Sequence, residues 1–215
     1  MQIGRILYPV KVLGPGRRIG IWVHGCKRAC PGCANPELWE PDAGKEIAME
    51  HLQQMLLSVL EKYPVDGITI SGGEPFLQTK ELMHLVKFLR EYTSDILIFT
   101  GYERRSLLAR KKEAAQTRYV LDNIAVLVDG KYVEEKNDGH PLRGSSNQRF
   151  HYRDEAVAEQ YERYIEEQKN SNLVQMFPTS DGAVLAGIHH KNFKEDLEKK
   201  MRERGVNTEN SRNGG

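Results

Sequence analysis

The chain has three cysteines among its 215 residues and no apolar run near the roughly 18–20 residues that a membrane-spanning helix requires. The N-terminal stretch Met1-Gln2-Ile3-Gly4-Arg5 lacks the apolar core of a secretion signal. Neither sign of charge dominates: 31 Lys and Arg stand against 30 Asp and Glu, a net charge of +1. That balance excludes the basic footprint of a nucleic-acid binder. No internal repeat is visible, and no low-complexity tract outside the polar stretch Val206 to Gly215, which has almost nothing to bury and is expected to be disordered. Clustered cysteines without other partners do not make a secreted disulfide framework, so a reducing cytoplasm is the expected location. No acid–base pair stands out, and no catalytic side chain is expected beyond the groups that hold cofactors.

All the cysteines that are present lie together, in Gly25-Cys26-Lys27-Arg28-Ala29-Cys30-Pro31-Gly32-Cys33. A closed structural zinc site and an ordinary iron–sulfur cluster each take four protein ligands. Three thiolates leave one metal position open, and an open position is where substrate or cofactor binds. Two plainer readings stand beside this one: a zinc loop completed by His24, or thiols packed as small apolar groups.

At this length the chain can hold one domain with a sizeable core, plus an appendage. Short apolar runs alternate with amphipathic stretches. Ile19 to Val23 reads as a strand that ends at the cysteine loop. Leu52, Met55, Leu56, Val59 and Leu60 stripe one face of a helix. Gly67 to Ile70, Ile96 to Phe99 and Ile124 to Val128 read as further strands. Leu82, Leu85, Val86 and Leu89 stripe a second helix, and a polar helix is predicted around Glu103 to Ala114. Strand–helix alternation predicts an α/β fold with right-handed crossovers and a mostly parallel sheet. After the successive strands come Gly25-Cys26, Ser71-Gly72-Gly73-Glu74-Pro75, Thr100-Gly101-Tyr102 and Asp129-Gly130-Lys131. In parallel α/β folds, ligands gather at these strand ends. One composite site is therefore expected there.

The motifs, taken in order, resemble those of the radical S-adenosylmethionine (SAM) enzymes, and among them the activases of glycyl-radical enzymes. The likeness is nearest to those of anaerobic ribonucleotide reductases. It rests on Gly14-Pro15-Gly16, the C-x3-C-x2-C spacing of Cys26, Cys30 and Cys33, and Asn35-Pro36-Glu37-Leu38-Trp39. Gly72-Gly73-Glu74-Pro75, Thr100-Gly101-Tyr102, Val128-Asp129-Gly130 and Arg143-Gly144-Ser145-Ser146-Asn147-Gln148-Arg149 complete it. The resemblance implies a partial (β/α) barrel of the radical SAM type over residues 1–150. It implies a [4Fe-4S] cluster on Cys26, Cys30 and Cys33, with SAM on the open iron. Gly72, Gly73 and Glu74 would meet SAM's amino group, Glu74 supplying charge, and Thr100 would lie in the same site. Asp129 and Lys131 would approach its ribose and carboxylate. Asn147, Gln148 and Arg149 would line the site or brace its loop, and Tyr102 would pack. The family's chemistry is reductive cleavage of SAM to a 5′-deoxyadenosyl radical that abstracts hydrogen from a glycine of a partner enzyme. A one-electron donor such as flavodoxin would supply the electron.

Two departures from the family pattern are visible. Arg28 stands where the reductase activases often carry histidine. Residues 151–205 add a solvated helix over 151–170, then two strands about a turn at Thr179 to Gly182, then a charged helix with Leu197 and Met201. This is read as an α+β extension packed on the core, with Val174, Met176, Val184 and Leu185 as its buried strand residues and 206–215 as the tail. Three functions are thus distinguished: an activase acting on a glycyl-radical enzyme, a radical SAM enzyme acting on a small molecule or peptide, and a non-catalytic carrier or zinc module. A carrier has no use for the Gly73-Glu74 loop. The short chain and the Arg143 to Arg149 segment favour the activase.

Overall fold

The computed structural model of the chain describes residues 1–169, 174–180 and 182–204. The sheet is built from β1 (Ile3–Val10), β2 (Arg18–Val23), β3 (Gly67–Gly72), β4 (Ile96–Thr100), β5 (Val126–Asp129) and β6 (Arg149–Tyr152) in that spatial order. Strands β2 to β5 run parallel, and β1 and β6 pair antiparallel at the two edges. Helices α1 (Met49–Leu60), α2 (Thr79–Leu89), α3 (Arg104–Leu108) and α4 (Ala114–Asp122) fill the crossovers. The fold is thus mixed α/β with a mostly parallel central sheet.

The strand pleat sends alternate side chains to opposite faces. Ile19, Ile21, Ile68, Ile70, Ile96 and Ile98 point one way, into Leu52 and Leu56 of α1, Leu82 and Leu85 of α2 and Val120 of α4. Removing a side chain of this size from water stabilises by about 1.5–3 kcal/mol. Leu97, Val126 and Val128 point the other way, against Val157, Tyr161 and Tyr164 of α5 (Glu155–Gln168). Asp154 caps α5 by accepting a hydrogen bond from Val157 N at 2.9 Å. Trp22 also lies on this second face, clustered with Val10, Leu13, Leu38 and Ala186. Ala186 belongs to a two-stranded hairpin, β7 (Val174–Thr179) and β8 (Gly182–Gly187), which α6 (Phe193–Glu203) follows. With both faces covered, β2 is buried along its whole length, as the central strands of a parallel sheet should be.

Three details depart from the sequence reading. The helix predicted around Glu103 to Ala114 is two helices, because Glu113 takes a left-handed conformation (φ 58°) and interrupts it. The edge strands β1 and β6 are not among the expected strands: β1 is mostly apolar but half-buried along most of its length, with no alternation to mark it, and β6 is only four residues long. Met176, expected to be buried, is 66% exposed on the outer side of the hairpin. The expected disordered tail lies outside the described residues, as do Asn172, Leu173 and Asp181 of the expected strands and turn.

The opposite, N-terminal end of the sheet is locked by a buried ion pair. Arg18 is fully buried, and its guanidinium reaches both Asp95 oxygens at 3.0 and 3.1 Å. It also donates to Thr69 Oγ1 and to the Ile68 carbonyl, each at 2.7 Å. Tyr161 of α5 donates its hydroxyl to Asp95 Oδ1 at 2.5 Å. One cluster thus ties β2, β3, β4 and α5 together below the site.

Candidate active site

The register aligns the strands at their C-terminal ends: Val23 sits beside Gly72, and Thr100 beside Asp129. The loops that follow are stitched to one another through backbone. Gly73 N donates to Val23 O at 2.7 Å and Glu74 N to Gly25 O at 2.8 Å, which fastens the β3 loop to the cysteine loop. Gly25 N and Cys26 N donate to the carbonyls of Leu38 and Trp39 at 2.9 and 2.7 Å. That return is the structural use of Asn35-Pro36-Glu37-Leu38-Trp39. The approach explains two glycines: a Cβ at Gly72 would lie 2.4 Å from Val23 N, and one at Gly73 would lie 2.4 Å from Gly25 O. Gly72 also has φ +105°, which favours glycine.

Cys26, Cys30 and Cys33 all line one cavity, together with Gly72, Gly73 and Glu74. Thr100, Gly101, Trp39 and Gln148 line it as well. Burial pushes the Cys26 and Cys30 thiols up from their ordinary pKa. Backbone N–H groups of Arg28 and Asn35 point at Cys26 Sγ and Cys33 Sγ, both at 3.4 Å, contacts that stabilise thiolate charge. Among the described residues, no three His, Cys, Asp or Glu side chains converge on one ion position. His24, the fourth zinc ligand of the plainer reading, faces the Glu40 carbonyl, with Nδ1 3.3 Å away, and does not line the cavity. A cubane cluster binds each cysteine through a different iron, so it needs three thiols spread around one space. This loop offers that arrangement. Trp39 Nε1 is a buried donor without a hydrogen-bond partner, and a bound acceptor in the cavity would satisfy it. The donor set, the shared cavity and this unmet N–H fit a cluster with a polar ligand beside it.

Glu74 is 1% exposed, and its carboxylate accepts from Phe76 N at 3.1 Å, Thr100 Oγ1 at 2.7 Å and Gly101 N at 2.8 Å. Burial raises its pKa, while those hydrogen bonds and the nearby Arg28 charge oppose the rise. The side chain therefore braces the β3 loop against the end of β4, and what it presents to the cavity is mainly the backbone it fixes. Asp129 is turned away from the cavity. Its carboxylate accepts from Arg104 N at 2.5 Å and lies 3.0 Å from His151 Nε2, out of hydrogen-bond alignment. Lys131 is exposed and is not a lining residue, although its charge acts on Cys30. The D-x-K pair is thus not brought to the ligand space with the other expected residues. Gln148 braces: Oε1 accepts from Gly144 N at 2.7 Å, and Nε2 donates to Gly130 O at 2.9 Å. Asn147 similarly donates to Lys131 O at 2.8 Å.

Two features were not expected from the sequence. Arg28 lines the cavity and stacks on Tyr102, on which Arg110 also stacks: the guanidinium carbons lie 4.0 and 3.8 Å from the ring centre. Tyr102 packs as predicted, but between two cations. The hairpin residues Leu185 to His189 also line the cavity. No local motif announces either feature.

The family profile described as "4Fe-4S single cluster domain" matches residues 12–151. The chain is 36% identical over 152 residues to the anaerobic ribonucleoside-triphosphate reductase-activating protein of Escherichia coli (strain K12), covering 67% of this chain and 95% of that one. The protein of the same name from Enterobacteria phage T4 is 32% identical over 149 residues, covering 67% of this chain and 90% of that one. Among solved structures the chain is similar to QueE from Escherichia coli, at 14% identity and a TM-score of 0.39 over 95% of this chain and 90% of that one, a likeness too loose to argue from. With the cysteine loop, the strand-end motifs and the sequence matches in agreement, the chain belongs to the 4Fe-4S single cluster domain family and, within it, to the group of anaerobic ribonucleoside-triphosphate reductase-activating proteins.

Proposed function

We propose that the chain generates a glycyl radical on a partner enzyme of the anaerobic ribonucleotide reductase type. The observation that carries this reading is the sharing of one cavity by all three cysteines and the Gly72-Gly73-Glu74 loop, at the C-terminal ends of parallel strands. On this reading the fold is a partial (β/α) barrel, and the face carrying Trp22 and Phe99 is its interior. Cys26, Cys30 and Cys33 would hold a [4Fe-4S] cluster. Gly72, Gly73, Glu74 and Thr100 would frame SAM, and Asp129 would hold the loop beside it in place. When bound there, the reduced cluster and SAM supply one-electron cleavage of a carbon–sulfur bond, giving methionine and a 5′-deoxyadenosyl radical that takes a hydrogen atom from the partner's glycine. The chain's own part is to fix the thiols, to orient SAM by backbone and to keep water out. A one-electron donor such as a flavodoxin, in the cytoplasm, completes the assignment. No helix among the described residues is long and apolar enough to cross a membrane.

The test is anaerobic incubation of reduced, reconstituted protein with SAM and an anaerobic ribonucleotide reductase. The expected products are 5′-deoxyadenosine and an electron paramagnetic resonance doublet from a glycyl radical on the reductase. SAM cleavage without that doublet would assign the chain to a different hydrogen donor, a small molecule or peptide.

Glu74 gives a second prediction. Glu74→Ala leaves buried donors on Thr100, Phe76 and Gly101 without their acceptor, at about 1–3 kcal/mol for each group left unmet. The variant should unfold earlier in urea and bind SAM roughly ten- to hundredfold more weakly, with its iron content retained. Glu74→Gln, which keeps one carbonyl acceptor, should recover part of both losses. Unchanged SAM affinity in Glu74→Ala would remove this loop from the SAM site.

A further inference from the structure

The hairpin β7–β8 lies beyond the segment that the family profile matches, which ends at residue 151. The Escherichia coli relative is matched over 95% of its own length within 67% of this chain, so its unmatched remainder is too short to hold an equivalent of the extension. Yet the hairpin is tied to the family core. Gln175 donates to Pro9 O at 2.7 Å and accepts from Lys11 N at 2.9 Å, which fixes β7 beside the end of β1. Asn137 donates to His189 O at 2.9 Å, holding the chain just beyond β8 against the loop that follows β5. Ala186 is 2% exposed in the cluster with Trp22 and Leu38, and Phe177 and Ile188 pack on it. The stretch anchored in this way is the one that lines the cavity of Cys26, Cys30 and Cys33, and it brings the apolar Leu185, Ala186 and Ile188 there, with His189 after them.

Building on the activase reading, we propose that this hairpin is an added wall of the active site, and that Leu185 and Ile188 are specificity-determining residues for the partner segment that carries the reacting hydrogen. A segment entering a cavity walled in this way loses water along its flanks. A charged flank laid against Leu185 and Ile188 would be desolvated without a partner on that side, whereas an apolar flank gains contact there. The hairpin therefore selects a partner loop with small or apolar residues beside the glycine, a demand that the matched relative has no such hairpin to impose.

Two measurements test this. In the first, reconstituted full-length protein is given SAM and the reductase, and glycyl radical formed per 5′-deoxyadenosine released is compared among variants. Leu185→Trp, which narrows the cavity, should lower that ratio by roughly ten- to hundredfold, the scale of a misplaced reacting group, and raise the reductase concentration needed for half-maximal rate. Leu185→Met should restore it. A fold defect lowers radical and 5′-deoxyadenosine together, so an unchanged ratio in Leu185→Trp overturns the proposal. The second measurement is independent of the reaction. The chain has only three cysteines, so maleimide labelling of the metal-free protein reports on this cavity alone. Leu185→Ala/Ile188→Ala should speed labelling by a bulky maleimide several-fold more than labelling by iodoacetamide. Equal acceleration of both reagents, or none, would show that the hairpin does not wall the site. If the unaltered protein cleaves no SAM, the activase reading fails while the labelling result still decides the position of the wall.

Discussion

Cys30→Ala should abolish iron binding and with it every SAM-dependent activity. Cys30 is 8% exposed, the most buried of the three cysteine residues, and its carbonyl accepts the N–H of Cys33 at 3.1 Å, shaping the turn that presents both. The chain has no fourth cysteine to substitute, and the nearest histidine in sequence, His24, is turned to the Glu40 carbonyl. Two thiolates cannot retain a cluster that already leaves one iron without a protein ligand. Reconstituted protein should hold about four irons per chain with broad charge-transfer absorbance, and the variant only traces. Its circular dichroism should be nearly unchanged, because the core packs without the cluster loop. A Cys30→Ala protein with full iron would disprove this ligand set.

Asp95→Ala should be the most damaging substitution for stability. It strands the fully buried Arg18 guanidinium, removes the acceptor of the Tyr161 hydroxyl, and leaves Arg18 only neutral oxygens. Removing one partner of a buried pair costs about 3–5 kcal/mol. With a urea slope of about 2–3 kcal/mol/M for a chain of this size, the unfolding midpoint should fall by about 1–2.5 M. Arg18→Met combined with Asp95→Ala should cost less than Asp95→Ala alone, since no uncompensated charge remains. If the double substitution is as damaging as the sum of the two single ones, the pair is not the source of the loss.

Much of the site is legible in the sequence because its parts are local. The cysteine spacing, Gly72-Gly73-Glu74 and Thr100 each lie at the end of an apolar run, and a parallel sheet brings such ends together whatever the helices between them do. What could not be read is the direction of side chains set by distant partners. Asp129 looks like a ligand in Val128-Asp129-Gly130, but the start of α3 supplies Arg104 N and draws it away. Glu74 looks like a free charge until Thr100 and Gly101, 26 and 27 residues on, take up its oxygens. Met176 has the pattern of a core strand residue, yet a two-stranded hairpin has an outer face, and Met176 is on it. The hairpin's return to the cysteine cavity depends on Gln175 meeting Pro9 and Lys11, more than 160 residues apart in sequence, and no motif marks that contact.

On the proposed reading, three thiolates from this loop hold a cluster with one iron left open for SAM. Mössbauer spectroscopy of protein reconstituted with 57Fe, recorded without and with SAM, addresses it directly. A unique iron should show an isomer shift that rises when SAM is added, while the irons held by Cys26, Cys30 and Cys33 keep theirs. A spectrum in which every iron is equivalent and unmoved by SAM would contradict it.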